Sequence, residues 1–242
     1  MKKIYEKNEL TFALISIGIY VVSQSIANSF HLLGIEYSAN AVVSIVLTVL
    51  LFFFINKNGL PEKYGLCKTS IPAGKFLWYI PLFLLASHNL WNGFAINLPL
   101  AASICYILYM IGVGFIEEVI FRGFLFRALE KDNVKTAIII SSVTFGLGHL
   151  VNLINSNGMD FITNLCQVVG AIAIGFLFMI LFYRSGSLLP CILTHVAIDV
   201  ASCFANEADM TPERRILFSI SRAVIVIVYT LILLKTLPKR QK

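Results

Sequence analysis

The stretch AASICYILYMIGVGFIEEVIFRG, residues 101–123, joins a long apolar run to two carboxylates and an arginine. The apolar part is long enough to enter a hydrocarbon core about 30 Å thick. An ionised side chain inside that core costs several kcal/mol unless it is paired or faces a polar cavity. The positions of Glu117, Glu118 and Arg122 therefore predict a membrane helix that ends in a structural ion pair or in a functional site.

The composition indicates a membrane protein. The 242-residue chain is 58% hydrophobic and 13% charged, whereas soluble domains are about 45–50% apolar and about 25% charged. The net charge of +6 would suit a nucleic-acid partner. We exclude that class because the basic residues lie between apolar runs, as the positive-inside rule places them, and form no single patch.

We predict an all-α polytopic membrane protein, with residues 1–242 as a single transmembrane domain and about eight transmembrane helices. The start MKKIYEKNEL resembles the basic end of a signal peptide, but the apolar segment after it is long, so we expect a first transmembrane helix. The predicted spans, each long enough for the hydrocarbon core, are roughly 10–29, 39–56, 76–94, 99–121, 135–152, 161–183, 188–204 and 214–235.

Lysine and arginine alternate between the predicted loops. They occur in the N-terminal segment, in the second, fourth and sixth loops and in the C-terminal tail, and the first, third and fifth loops hold none. The acidic seventh loop is the exception, because Arg214 and Arg215 stand at its end. By the positive-inside rule this pattern predicts that the N-terminus and the C-terminus are cytoplasmic. Frequent Ile, Lys and Asn are typical of bacteria, so we expect a multi-pass protein of the bacterial plasma membrane.

Two further predicted spans contain ionisable side chains that could join these residues in one site. His149 lies in TFGLGHL, where Gly146 and Gly148 would let another helix pack closely. His195 and Asp199 lie in LLPCILTHVAIDV, with the i, i+4 spacing that puts both on one face of a helix. His149 alone, or the pair of His195 and Asp199 alone, could be structural. Imidazole and carboxylate groups on three spans together favour a functional site.

The carboxylates at residues 117 and 118 are expected to differ in role. Glu118 and Arg122 are i and i+4, so they share a helix face and can pair. Glu117 points about 100° away and need not share that partner.

The set suits hydrolysis of a carbonyl compound. Glu117 could take a proton from water as a general base, and His149 could hold that water. His195 could stabilise an oxyanion. The same side chains could instead bind zinc through Glu117, His149 and His195, because zinc accepts nitrogen and oxygen ligands. Both arrangements predict attack of an activated water on a carbonyl.

Three short motifs resemble one known family. EEVIFR resembles the E-E-x-x-x-R motif of the CPBP family, which comprises CAAX-protease-like and bacteriocin-processing (Abi) intramembrane proteases. FGLGH resembles its F-x-x-x-H motif, and HVAID resembles its H-x-x-x-N/D motif. The three occur in order within a motif-bearing core of about residues 100–204.

The resemblance implies an eight-helix intramembrane endopeptidase with its active-site cavity inside the bilayer. It implies that Glu117 activates water and that His149 positions it. His195 and Asp199 would form the oxyanion side, and Glu118 with Arg122 the supporting pair. The resemblance favours a glutamic mechanism, so we expect no metal or other cofactor, with zinc at Glu117, His149 and His195 as the alternative.

One residue departs from the prenyl-protein pattern of the family. Asp199 stands where that pattern has Asn, and an ionised carboxylate cannot donate a hydrogen bond to an oxyanion. Asp199 would therefore act as a protonated donor or would orient His195.

The expected substrate is a membrane-associated peptide or a membrane protein, as in bacteriocin maturation or self-immunity, with the lipid bilayer as the other partner. Three other readings remain open: a zinc-dependent CAAX-type prenyl-protein protease, a non-catalytic membrane binding or scaffold partner, and a proton-coupled transporter. The sequence gives no indication of the oligomeric state.

Overall fold

The computed structural model describes residues 1–154, 161–208 and 210–238, and the regular elements within them are helical. The α-helices in chain order are α1 (Lys2–Lys7), α2 (Glu9–Ala27), α3 (Ser38–Lys57), α4 (Ile80–Ala86), α5 (Leu100–Glu117), α6 (Phe126–Leu129), α7 (Val134–Gly148), α8 (Val151–Ile154), α9 (Phe161–Ser185), α10 (Leu189–Ser202) and α11 (Pro212–Thr236). A π-helical segment, Glu118–Leu125, joins α5 to α6, and 3₁₀ turns cover Leu32–Gly34, Ala73–Tyr79 and His88–Leu90.

Six helical segments in the described part of the chain are long and apolar enough to cross a membrane. They correspond to the predicted spans one, two, four, five, six and eight, and they confirm a multi-pass membrane protein. The segments are Glu9–Ala27, Ser38–Lys57, Leu100–Leu129, Val134–Leu153, Asn164–Ser185 and Glu213–Thr236.

The predicted spans three and seven are represented by shorter apolar helices, Ala73–Ala86 and Leu189–Ser202. Helix α10 has 14 residues and rises about 21 Å at 1.5 Å per residue, less than the roughly 30 Å of a hydrocarbon core. The other segment is interrupted where the backbone of Leu77 and Trp78 turns left-handed. Eight transmembrane helices are therefore not confirmed.

Small residues set the helix crossings around α5. A Cβ added to Gly112 would lie 2.5 Å from the Cβ of Ser44 in α3. A Cβ added to Gly114 would lie 2.9 Å from the backbone nitrogen of Val196 in α10. Close approach at small residues is the usual way in which membrane helices pack. Helix α10 is thereby held against the end of α5, which brings the residue before Val196, His195, beside the two glutamates.

The N-terminal segment and the second, fourth and sixth loops lie at the same end of the helix bundle. Glu9 Oε1 lies 2.8 Å from Lys63 Nζ and 3.1 Å from Lys131 Nζ. The hydroxyl of Ser187 donates a 2.6 Å hydrogen bond to the carbonyl of Cys67. These four segments are the ones that carry the predicted cytoplasmic lysines and arginines.

The third and seventh loops meet each other. The backbones of Phe94 and Ala205 form an isolated antiparallel bridge. Asn97 Nδ2 donates hydrogen bonds of 3.2 Å to the carbonyl of Cys203 and 2.9 Å to that of Ala205. The two loops therefore lie at the same end of the helix bundle, and which end faces the cytoplasm stays a prediction. The fifth loop, 155–160, and the last residues of the tail, 239–242, lie outside the described residues.

Candidate active site

The motif EEVIFR lies where the α-helix changes to a π-helix. Helix α5 ends at Glu117, and the π-helical segment begins at Glu118 and runs to Leu125. All eight residues of that segment are buried. Stretches of π-helix are rare and are often found at functional sites. The two adjacent glutamates have the same right-handed helical backbone, with φ −65° and ψ −41° at Glu117 and φ −63° and ψ −42° at Glu118, and they lie on either side of this junction.

Glu118 holds a buried cluster together. Its Oε1 lies 3.2 Å from Arg122 Nη1 and 2.8 Å from His195 Nδ1, and the side chains of Glu118 and Arg122 are fully buried. The pairing predicted from the i, i+4 spacing is present. The guanidinium of Arg122 also lies 3.8 Å from the ring centroid of Phe145, a cation–π distance. The second contact of Glu118, with His195, was not predicted from the sequence.

Glu117 turns away from that cluster. Its Oε1 accepts a 2.6 Å hydrogen bond from the hydroxyl of Tyr20 in α2. Its Oε2 lies 3.8 Å from His195 Nε2. The side chain of Glu117 is 14% exposed, against 0% for Glu118, so Glu117 is the carboxylate that water can reach.

His195 lies between carboxylates on both sides of its ring. In addition to Glu118 at Nδ1, its Nε2 is 3.3 Å from Asp199 Oδ2, so the predicted i, i+4 pair is present. Carboxylate oxygens are acceptors, and this arrangement suits an N–H on each ring nitrogen. Phe145 packs edge-on against both imidazoles, with its centroid 5.7 Å from that of His149 and 5.7 Å from that of His195.

A cavity of about 420 Å³ opens between the helices. It is within the usual size range of small-molecule and peptide sites. Four of the six predicted site residues line it, namely Glu117, His149, His195 and Asp199. Glu118 and Arg122 do not line it, and they lie buried behind His195 and Phe145.

The two glycines before His149 serve different purposes. A Cβ at Gly146 would collide with the side chain of Ile172 and lie 2.9 Å from its backbone nitrogen. The prediction of close helix packing is confirmed there. It is wrong for Gly148, because nothing lies within 4 Å of a Cβ added at that position. Helix α7 ends at Gly148, which faces the cavity instead of another helix.

The zinc alternative is not supported by the arrangement of the side chains. Among residues 1–154, 161–208 and 210–238, no group of three or more His, Cys, Asp or Glu side chains is placed to hold a metal ion. Glu117, His149 and His195 do not fit a zinc site as arranged, and independence from cofactors stays a prediction.

Two cavity-lining residues that were not predicted from the sequence, Tyr20 and Arg222, bear on the chemistry of the site. Tyr20 contacts Glu117 from the first span, which carries none of the recognised motifs, and a tyrosine in an apolar run gives no functional signal. Arg222 lines the cavity from α11. A signal for it existed, since an arginine in the middle of a predicted span is costly unless it faces a polar space.

Residues 99–201 match a family model described as type II CAAX prenyl endopeptidase Rce1-like. This segment, less than half of the chain, is similar to the Rce1-like family. The resemblance drawn from the three motifs is thereby confirmed, since the match contains all of them. The similarity points to an intramembrane protease, that is, a hydrolase whose substrate is a peptide or protein in the membrane. No curated protein and no solved structure matches the chain.

Proposed function

We propose that this Rce1-like protein is an intramembrane endopeptidase of the glutamic type, with Glu117 as the residue that activates water. The observation that carries the proposal is the division between the two glutamates. Glu117 faces the cavity together with both histidines and Asp199, whereas Glu118 is fully buried against Arg122. A general base must reach water, and a structural carboxylate need not.

The reaction follows from the positions of the cavity groups. Glu117 takes a proton from a water that His149 positions, and the water oxygen bonds to the peptide carbonyl carbon. His195 and Asp199 stabilise the negative charge that develops on the carbonyl oxygen. The tetrahedral intermediate then collapses, the C–N bond breaks, and the proton held by Glu117 passes to the leaving amine.

Glu118 and Arg122 act through His195 and not on the substrate. The 2.8 Å contact between Glu118 Oε1 and His195 Nδ1 fixes the ring and directs Nε2 toward the cavity. Arg122 balances the charge of Glu118 and is itself packed against Phe145. Because Glu118 already orients the imidazole, we assign to Asp199 the role of a protonated donor, whose Oδ2 lies 3.3 Å from His195 Nε2 and whose hydroxyl would donate to the oxyanion.

We place the cavity inside the bilayer, with eight membrane crossings and both termini on the cytoplasmic side of a bacterial plasma membrane. The support is the pairing of the loops. Chain segments that carry lysine and arginine meet through Glu9, and the third loop pairs with the seventh. A cysteine at Ile96, in a variant without native cysteines, should react with an impermeant reagent in intact cells. Reaction only after permeabilisation would reverse the orientation.

The substrate class that fits is a membrane-associated peptide or membrane protein. The family model is described by prenyl endopeptidase activity. For this protein, which we expect to be bacterial, we propose a role in bacteriocin maturation or self-immunity instead. The test uses purified protein in liposomes with two fluorogenic probes, a prenylated CAAX-type peptide and an unprenylated apolar peptide. Cleavage of either probe by the wild type, and not by Glu117→Ala, supports the proposal. Equal cleavage by both proteins, or by neither, contradicts it.

A further inference from the structure

Arg222 is a cation in the cavity that the proposed reaction does not use. It lines the same cavity as Glu117 and the two histidines. No hydrogen bond or ion pair joins it to another residue of the described ranges 1–154, 161–208 and 210–238. The titratable groups that act on it electrostatically are Cys166 and His88, and neither is an anion in its ordinary form.

The depth of Arg222 makes this arrangement costly. Helix α11 runs Pro212–Thr236 over 25 residues, so Arg222 lies about 15 Å from its start and about 21 Å from its end at 1.5 Å per residue. A long side chain can reach the membrane surface from a helix end, but not easily from the middle. Intramembrane charges that cannot reach the surface usually mark binding sites or pathways.

The neighbouring helix makes room for the guanidinium. A Cβ added to Gly170 in α9 would lie 2.6 Å from Arg222 Nη2 and 3.2 Å from its Cζ. The planar group therefore rests on the bare backbone at Gly170, with the cavity beside it. A guanidinium held in this way presents its remaining N–H groups to whatever occupies the cavity.

We infer that Arg222 binds a carboxylate of the peptide substrate and so favours substrates that place a carboxylate in the cavity. This inference rests on the proposed peptidase function. The planar fork of arginine matches a carboxylate with two parallel hydrogen bonds. The carboxylate can be the C-terminus of the peptide or an Asp or Glu side chain. A lipid phosphate is the poorer fit, because headgroups lie at the membrane surface and Arg222 lies near the middle of its helix.

Binding can be measured without cleavage, which separates this inference from the proposed function. The background is Glu117→Gln in nanodiscs, and the probes are three N-acylated fluorescent peptides of one apolar sequence. One ends in a free carboxylate, one ends in an amide, and one ends in an amide but has a single internal Glu. Fluorescence anisotropy should show at least one carboxylate peptide binding about tenfold or more tightly than the plain amide, since a hydrogen bond to a charged group is worth that much.

Arg222→Gln in the same background should remove that difference, and Arg222→Lys should keep part of it. The matched control is Arg214→Gln, which removes an exposed arginine of the same helix that hydrogen-bonds Asn92. Arg214→Gln should bind the carboxylate peptides more tightly than the plain amide by the same factor as the background protein. The thermal unfolding midpoint of Arg222→Gln should not fall, because the charge has no structural partner.

Equal affinity for all three peptides, including no measurable binding of any, would overturn the inference. A difference in affinity that survives Arg222→Gln would also overturn it. So would a lower unfolding midpoint of Arg222→Gln together with weaker binding of the plain amide peptide, because the loss would then be structural. The cleavage assay with Glu117→Ala remains a separate test, so the proposed function can hold when this inference fails.

Discussion

The hydroxyl of Tyr20 donates a 2.6 Å hydrogen bond to Glu117 Oε1 across 97 residues of sequence. This contact ties α2, the first of the long helices, to the carboxylate that faces the cavity. Because Oε1 is engaged, Oε2 is the oxygen left to receive a proton from water. Tyr20 thus positions the proposed general base.

Tyr20→Phe tests this positioning role. Loss of a hydrogen bond to a charged group costs about 1.5–3 kcal/mol, so we expect kcat to fall about tenfold to a hundredfold. The control is Tyr109→Phe, which changes a tyrosine lining the same cavity whose hydroxyl has no hydrogen bond to another described residue. Its kcat should stay within about twofold of the wild type. An equal fall in kcat for Tyr20→Phe and Tyr109→Phe would show that Tyr20 does not position Glu117.

Glu118→Gln tests the buried cluster. The change keeps the shape of the side chain but leaves Arg122 and His195 without their shared carboxylate. Breaking a buried ion pair costs about 3–5 kcal/mol, so the thermal unfolding midpoint in detergent should fall clearly. Glu62→Gln, at an exposed loop position, is the control and should unfold like the wild type. An unchanged midpoint for Glu118→Gln would show that the pair is not structural.

Asp199→Asn distinguishes two possible roles of Asp199, which are donating a hydrogen bond to the oxyanion and orienting His195. An amide can donate a hydrogen bond as a protonated acid does, so turnover should remain near normal if Asp199 donates to the oxyanion. Asparagine cannot stabilise an imidazolium charge, so an orienting role predicts a deep loss. A fall of about a hundredfold or more in kcat, the scale of losing one oxyanion contact, would favour the orienting role.

Chelation tests the metal-free mechanism. The protein should keep its cleavage activity after exhaustive dialysis against EDTA and should purify without stoichiometric zinc. The measurement pairs a peptide cleavage assay with metal analysis of the same sample. Activity that is lost in chelator and restored by zinc would make Glu117, His149 and His195 ligands and overturn the glutamic mechanism.

Much of the local arrangement could be predicted from helical spacing alone. The i, i+4 pairs Glu118–Arg122 and His195–Asp199 are both present, because this spacing fixes neighbours on a helix whatever surrounds it. The π-helical backbone that begins at Glu118 does not break the first pair.

Contacts between distant helices could not be predicted in this way. The contact of His195 with Glu118 spans 77 residues, and that of Tyr20 with Glu117 spans 97. They depend on which helices cross, and the crossings depend on small residues such as Gly114 that carry no directional signal. The short third and seventh spans also depend on packing, since hydropathy marks apolar runs and not the residue at which a helix ends.

Glu117→Gln gives the most direct test of the central claim, that Glu117 is the base that activates water. Gln keeps the size of the side chain and can still accept the hydrogen bond from Tyr20, but it cannot take a proton. In single-turnover cleavage of the fluorogenic peptide by protein in liposomes, we expect the rate to fall by about 10²–10⁴, the usual contribution of a general base. The unfolding midpoint should stay that of the wild type. A Glu117→Gln protein that folds normally and cleaves within about tenfold of the wild-type rate would contradict the account.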